Sequence, residues 1–219
     1  MVHRLQSAVD MPAYSGKQAS YYVGVPYATL RNWIGARGLI RTPQPNILSF
    51  NNLAEAHILK AMRRKHRLSL QGIRKAMKEL ARLRETPHPL LDETFATDGI
   101  SLCILEEERV VNLSQQLQTE IREFAEIYLQ RIERDAEGNA SRLYPFIARD
   151  DASEPKHVSI SPTVSFGRPV LVGTGIATAV IAGRFVARDS VYDLAKEYGV
   201  NQQVLEDAIR WEMLKGKAA

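Results

Sequence analysis

The stretch from Gln18 to Trp33, QASYYVGVPYATLRNW, constrains the fold more than any other part of the chain. With Ser20 as the small residue of a first helix, Gly24 falls four places later, where a turn needs positive φ. Leu30 and Trp33 then fall on the inward face of a second helix. Pro26 suits the first position of that helix, because the N–H it lacks has no intrahelical partner there. The spacing predicts a helix-turn-helix, with Tyr27, Ala28, Thr29, Arg31 and Asn32 turned outward. Near the other end, SVYDLAKEYGVNQQVLEDAIRW repeats the pattern. Ala195 is the small residue and Gly199 the turn. Leu194, Tyr198, Val200, Leu205 and Ala208 form the inward set, with Ser190 and Asn201 as caps.

The outward residues separate the two copies. Arg and Asn each pair with a base edge in the major groove, and Thr and Tyr reach phosphates. Tyr27, Thr29, Arg31 and Asn32 are therefore expected to contact DNA; the alternative is a helical hairpin with no ligand. The second copy presents Gln202, Gln203, Glu206, Asp207 and Arg210, a poor balance for approaching phosphates. It is expected to bind protein.

Downstream of Trp33, Leu39-Ile40 and Ile47-Leu48 flank a Pro- and Asn-bearing turn and read as a β-hairpin wing, with Arg37 and Arg41 placed for phosphate. Asn51 or Asn52 is expected to cap a helix whose apolar residues are Leu53, Ala56, Ile58, Leu59 and Met62. Ser69 caps another, with Leu70, Ile73, Met77 and Leu80 inward. This pair carries Lys60, Arg63, Arg64, Lys65, Arg67, Arg74, Lys75, Lys78, Arg82 and Arg84 against Glu79 and Glu85. Charge of one sign beside a helix-turn-helix is the footprint of phosphate binding, the alternative being a soluble surface. Arg63, Arg64, Lys65 and Arg67 join the expected DNA contacts.

The order helix-turn-helix, wing, helix pair, with the phrase RLSLQGIRKAM, resembles the DNA-binding head of MerR-like regulators over about the first third of the chain. Trp33-Ile34 stands where a typical head has an aromatic pair. Further on, Ile160, Pro162, Gly167, Pro169, Val172, Gly173, Thr174 and Ile176 match a prokaryotic module that occurs in antitoxins of toxin–antitoxin operons. Gly175 stands where many members have Arg. The two together look like a VapB-type antitoxin. That resemblance implies a type II system in which the chain neutralises a VapC-like PIN-domain ribonuclease, a Mg²⁺-using toxin, and represses its own operon. The alternative is a MerR-like transcriptional regulator responding to a small-molecule ligand. A homodimer is expected under either, since one helix-turn-helix reads one half-site of operator DNA.

Between these modules, Thr86 to Leu91 reads as a linker. A hairpin is expected with strands at Ile100–Leu105 and Val110-Val111 around a solvated acidic turn, Glu106 to Glu108. Asn112 is expected to cap a long helix with Leu113, Leu117, Ile121, Phe124, Tyr128 and Ile132 on one face, ending near Glu137-Gly138. That face packs on the hairpin or forms a dimer or partner surface. Around Pro162 and Gly167 a hairpin precedes Gly173, Gly175 and a helix from about Thr178. The whole reads as mainly α with small β-hairpins. A MerR-like winged helix-turn-helix spans 13–85, a linker, β-hairpin and long helix for interaction or dimerisation span 86–150, and a hairpin plus trihelical, homeodomain-like module spans 157–214.

With 219 residues, 45% of them hydrophobic, the chain has enough apolar side chains for a core, and a formal charge of +4 permits a polyanionic partner. The one cysteine, Cys103, alternates with apolar residues in SLCILE as a buried strand residue would. The five histidines lack metal-ligand spacing, and no Walker loop or nucleophile elbow is present. A cytoplasmic protein without cofactor, metal, catalytic activity or membrane contact is expected.

Overall fold

The computed structural model describes residues 7–35, 38–64, 68–84, 86–96, 98–109, 113–148 and 151–215. Among these the fold is mainly helical, with three two-stranded antiparallel sheets. No helix of the described residues is long and apolar enough to cross a membrane.

Strand β1 (Tyr14–Ser15) leads into α1 (Gly16–Val23), capped by Ser15, whose hydroxyl accepts from the Gln18 N–H at 3.2 Å. Gly24 closes α1 at φ 72°, and its N–H and that of Val25 both donate to the Ser20 carbonyl. Helix α2 (Tyr27–Ile34) follows, with Pro26 one place earlier than expected: its carbonyl accepts the first helical bond, from Leu30.

The expected wing does not form. Strand β2 (Ile47–Leu48) pairs antiparallel with β1, Tyr14 opposite Leu48. Ile40 is fully buried and its N–H is spent on the Trp33 carbonyl, so it has no donor for a ladder. Pro43 and Pro45 remove two more donors between the runs.

Helix α3 (Phe50–Arg64) is capped by Ser49 rather than by Asn51 or Asn52. The Asn52 N–H donates to the Ser49 hydroxyl at 3.2 Å and the Asn52 Oδ1 accepts from the Ser49 N–H at 3.1 Å, a reciprocal capping box. Every residue from Phe50 to Met62 is buried, including Asn51, Asn52, Glu55, His57 and Lys60. The expected apolar set is thus joined by polar side chains, and α3 packs on α1 and α6.

Ser69 does cap α4 (Leu70–Arg84), accepting from Gly72 at 3.0 Å, with Ile73, Met77 and Leu80 inward. Two short 3₁₀ turns then lead to α5 (Asp98–Glu108), in place of the expected hairpin. Its buried residues are Gly99, Ile100, Cys103, Ile104 and Glu107, the last four at helical spacings of three and four. The short run 100–105 satisfies strand alternation and helical spacing together, and packing on α4 decides for the helix. Gly99 has the Phe95 ring where a Cβ would sit. Val110, Val111 and Asn112 lie outside the described residues. The acidic triplet is therefore the last turn of a helix. Glu107 accepts from both the N–H and the hydroxyl of Ser69, at 2.8 Å each, and so reinforces the cap of α4.

Ser114 caps α6 (Gln115–Leu129). The helix stops earlier than expected: Ile132 opens β3 (Ile132–Arg134), paired with β4 (Ala140–Leu143) around the Glu137-Gly138 tip. Leu143 also bridges to Ile160, beside β5 (Val158–Ser159). This strand pairs with β6 (Val170–Leu171) as the expected hairpin. Helices α7 (Thr178–Val186), α8 (Val191–Tyr198) and α9 (Gln202–Lys215) complete the chain, with Ser190 and Asn201 accepting at the starts of α8 and α9. Gly199 ends α8 at φ 65° and donates to the Ala195 carbonyl, as Gly24 does to Ser20. One buried apolar cluster runs from Tyr14 to Trp211; a satellite joins Ala61, Phe124, Tyr128 and Phe146.

Candidate nucleic-acid interface

Helix α2 is held by Leu30 and Trp33, both buried, and turns Arg31 and Asn32 to solvent. Thr29 is half-buried beside them. Tyr27, also half-buried, donates its hydroxyl to Asn46 Oδ1 at 3.0 Å. Asn46 sits at φ 59°, and its carbonyl accepts from the Gly16 N–H. Tyr27 therefore fastens the loop before β2 to the start of α2, and its hydroxyl is already engaged. A Cβ at position 16 would run into Asn46 and Tyr27, so a glycine is needed for this close approach.

Thr29 and Asn32 share a cleft of about 510 Å³ with Trp33, Lys60, Arg63 and Leu70. Lys60 forms a buried wall there, its Nζ 5.8 Å from the Tyr128 ring centroid. Arg63 donates to the Leu68 carbonyl, which fixes the guanidinium at the end of α3. Arg41 is exposed and lies elsewhere, in a smaller cleft of about 180 Å³ with Arg74 and Lys78. Its own carbonyl accepts from Asn52 Nδ2 at 3.0 Å, so α3 anchors its backbone. Arg37, Lys65 and Arg67 lie outside the described residues, as does the side chain of Arg64.

The structure thus gathers Thr29, Asn32 and Arg63 around one cleft and sets Arg41 apart from them, beside two cations that were counted only as part of a basic helix pair. The charge of that pair is less one-sided than its sequence. Lys75 lies 3.6 Å from Glu106 of α5, and Arg82 pairs with Glu79.

A contact without local sequence signal joins the two helix-turn-helix motifs. Tyr21 on α1 donates to the Glu212 carboxylate, which also accepts from the Thr178 hydroxyl. Rings of Tyr21 and Tyr22 meet Trp211 at 5.6 and 6.0 Å. Burial, then the Glu212 hydrogen bond and charge, hold the Tyr21 phenol above its ordinary pKa, so it stays a donor. Trp211 is fully buried.

In the second motif, α9 exposes Gln202, Gln203, Glu206 and Arg210. Asp207 is buried and holds His157, Gln203 and Arg210. The Cys103 thiol, 1% exposed, is pushed by burial and by Glu106 and Glu107 up to about 12, which leaves it protonated and unreactive at neutral pH.

Residues 158–211 match a family described as protein of unknown function (DUF433). A protein of Mycobacterium tuberculosis strain H37Rv with the name "Putative antitoxin VapB45" is 30% identical over 94% of this chain and 95% of its own length. The crystal structure of Rv2018 from Mycobacterium tuberculosis superposes with a TM-score of 0.72 at 28% identity, over 91% of this chain and 98% of that one.

Proposed function

The chain belongs to the family of the protein named VapB45, and from that premise we propose that it is the antitoxin of a type II toxin–antitoxin pair. It neutralises a VapC-like PIN-domain ribonuclease and represses its own operon through α2. The observation that carries the reading is the similarity to VapB45 along nearly the full length of both chains. What supports the DNA-binding part is the exposure of Arg31 and Asn32 on α2, with Lys60 and Arg63 lining the cleft that Asn32 borders and Arg41, Arg74 and Lys78 lining a second, separate cleft.

Titrating the partner ribonuclease with this protein tests the first part. Inhibition is expected to be complete near equimolar amounts, and activity left untouched there would sink the claim. For the second part, R31A and N32A are each expected to lose about 1–3 kcal/mol of discrimination at one base pair in a binding assay across operator variants. K78A is expected to weaken all sequences alike and to lower the salt dependence by about one charge.

A second reading has one observation in its favour. The cleft of about 510 Å³ under α2 has the size of a small-molecule site, as a ligand-responsive MerR-like regulator requires. Under it, a small anionic metabolite shifts operator affinity with no toxin present; an operator isotherm indifferent to metabolites counts against it.

A further inference from the structure

A third cleft, of about 430 Å³, shares only Thr86 and Pro87 with the smaller basic cleft and no residue with the larger one. Four stretches far apart in sequence enclose it. Asp10 comes from the segment ahead of β1 and Asn51 from the first turn of α3. Residues between Thr86 and Thr94 come from the 3₁₀ turns and the chain just before them, and residues from Arg134 to Ala140 from the β3–β4 hairpin. Its volume is that of a small-molecule site, and Pro87 and Leu91 give it an apolar side.

The donors in its wall are already engaged. Arg134 gives Nη1 to the Gly138 carbonyl at 2.7 Å and Nη2 to the Leu91 carbonyl at 2.6 Å. His88 turns one ring nitrogen to Glu55 and the other to Asp10. The amide nitrogen of Asn139 goes to Asp135, and the Thr94 hydroxyl to Asp92. Acceptors are left over. Asn51 is 8% exposed, and its Nδ2 donates to Asp10 Oδ1 at 2.8 Å, which fixes the amide. The Asn51 Oδ1 is buried with no hydrogen-bond partner among the described residues, a costly state unless a ligand donates to it. Asp10 receives both His88 and Asn51 on Oδ1, which leaves its Oδ2. Glu137 stands exposed at the hairpin tip. With Asp10, Asp92 and Glu137 against His88 and Arg134, the wall is net negative even when His88 is charged.

We propose that this cleft binds a small organic cation, an ammonium group on a short apolar stem. An occupant has to bring donors rather than acceptors, and positive rather than negative charge. An ammonium carries three donors and no acceptor, which suits Asn51 Oδ1 and the carboxylates of Asp10 and Glu137, while methylenes lie on Pro87 and Leu91. The site goes beyond the antitoxin reading and does not depend on it. It is opposite in sign to both basic clefts, so the anion of the ligand-responsive reading is not its occupant. A bound cation ties the Asp10 segment, α3 and the β3–β4 tip together, and so stabilises the folded chain by mass action.

Equilibrium dialysis of the full-length chain against radiolabelled putrescine tests it, with thermal unfolding as a second readout. Putrescine is expected to bind saturably, with a dissociation constant below about 1 mM, and to raise the unfolding midpoint. The uncharged diol with the same stem is expected to do neither. E137K alters an exposed side chain, so it should fold as the wild type does and weaken binding about tenfold by like-charge repulsion. D10N keeps an oxygen for His88 but removes the charge, and should also weaken binding about tenfold. Absence of saturable binding up to about 10 mM overturns the proposal, as does binding that both substitutions leave unchanged. If magnesium chloride at the same ionic strength raises the midpoint as much and displaces the putrescine, the diamine is only a counterion of acidic surface and the site is wrong.

Discussion

His88 bonds a carboxylate through each ring nitrogen, Glu55 at 3.0 Å from Nδ1 and Asp10 at 2.9 Å from Nε2. A carboxylate at each ring nitrogen favours the form in which both nitrogens donate, the imidazolium. Burial disfavours that charge, but the hydrogen bonds and charges of Glu55 and Asp10 outweigh it and raise the pKa above the ordinary 6.5. The stabilisation is therefore complete below about pH 6.5 and is lost as pH rises through the raised folded value. H88Q is expected to cost about 2 kcal/mol at pH 6. Urea unfolding from pH 6 to 9 checks this: the wild-type advantage should shrink with pH, and a constant gap would contradict the charged ring. Two glycines offer a second residue-scale comparison. Gly199 has φ 65° and open space around it, so G199A should cost only the conformational term, about 1 kcal/mol. Gly167 has φ 75° and the Tyr14 hydroxyl where its Cβ would be. G167A should therefore cost clearly more than G199A in the same denaturant series, since overpacking adds about 1–3 kcal/mol.

At the scale of elements, what could be read from the sequence follows the distance over which each element is determined. The turns between α1 and α2 and between α8 and α9 were legible because Gly24, Ser190 and Gly199 act on backbone within five residues of themselves. The wing was not, since β2 takes its partner from Tyr14–Ser15, more than thirty residues upstream. Helix α5 was misread because its apolar run is short enough to fit both periods, and the choice is made by α4. The site divides in the same way. Exposure of Arg31 and Asn32 follows from local helix geometry, whereas the meeting of Thr29 and Asn32 with Lys60 and Arg63 depends on how α2 packs on α3. The cap that α5 lends to α4 is itself testable. E107A removes the carboxylate oxygen that accepts from both the N–H and the hydroxyl of Ser69 and should lower stability by about 2 kcal/mol, with hydrogen exchange increasing first at the start of α4.

For the molecule as a whole, the decisive contact is the one that Trp211 and Glu212 make with Tyr21 and Tyr22. It places α9 against α1, the helix that precedes α2, inside the same buried cluster. Calorimetry is therefore expected to show one cooperative transition, and two separated transitions would mean that the motifs fold independently. W211A should cost about 3–5 kcal/mol.

The buried thiol of Cys103 has a practical consequence. It is the only cysteine of the chain, 1% exposed and protonated well past neutral pH, so maleimide reagents should pass it by. A dye placed through A28C, on the exposed side of α2, would then be the sole label, with no need to replace the native cysteine. Fluorescence from that position would give a direct optical test of whether DNA approaches α2, in a protein otherwise unaltered.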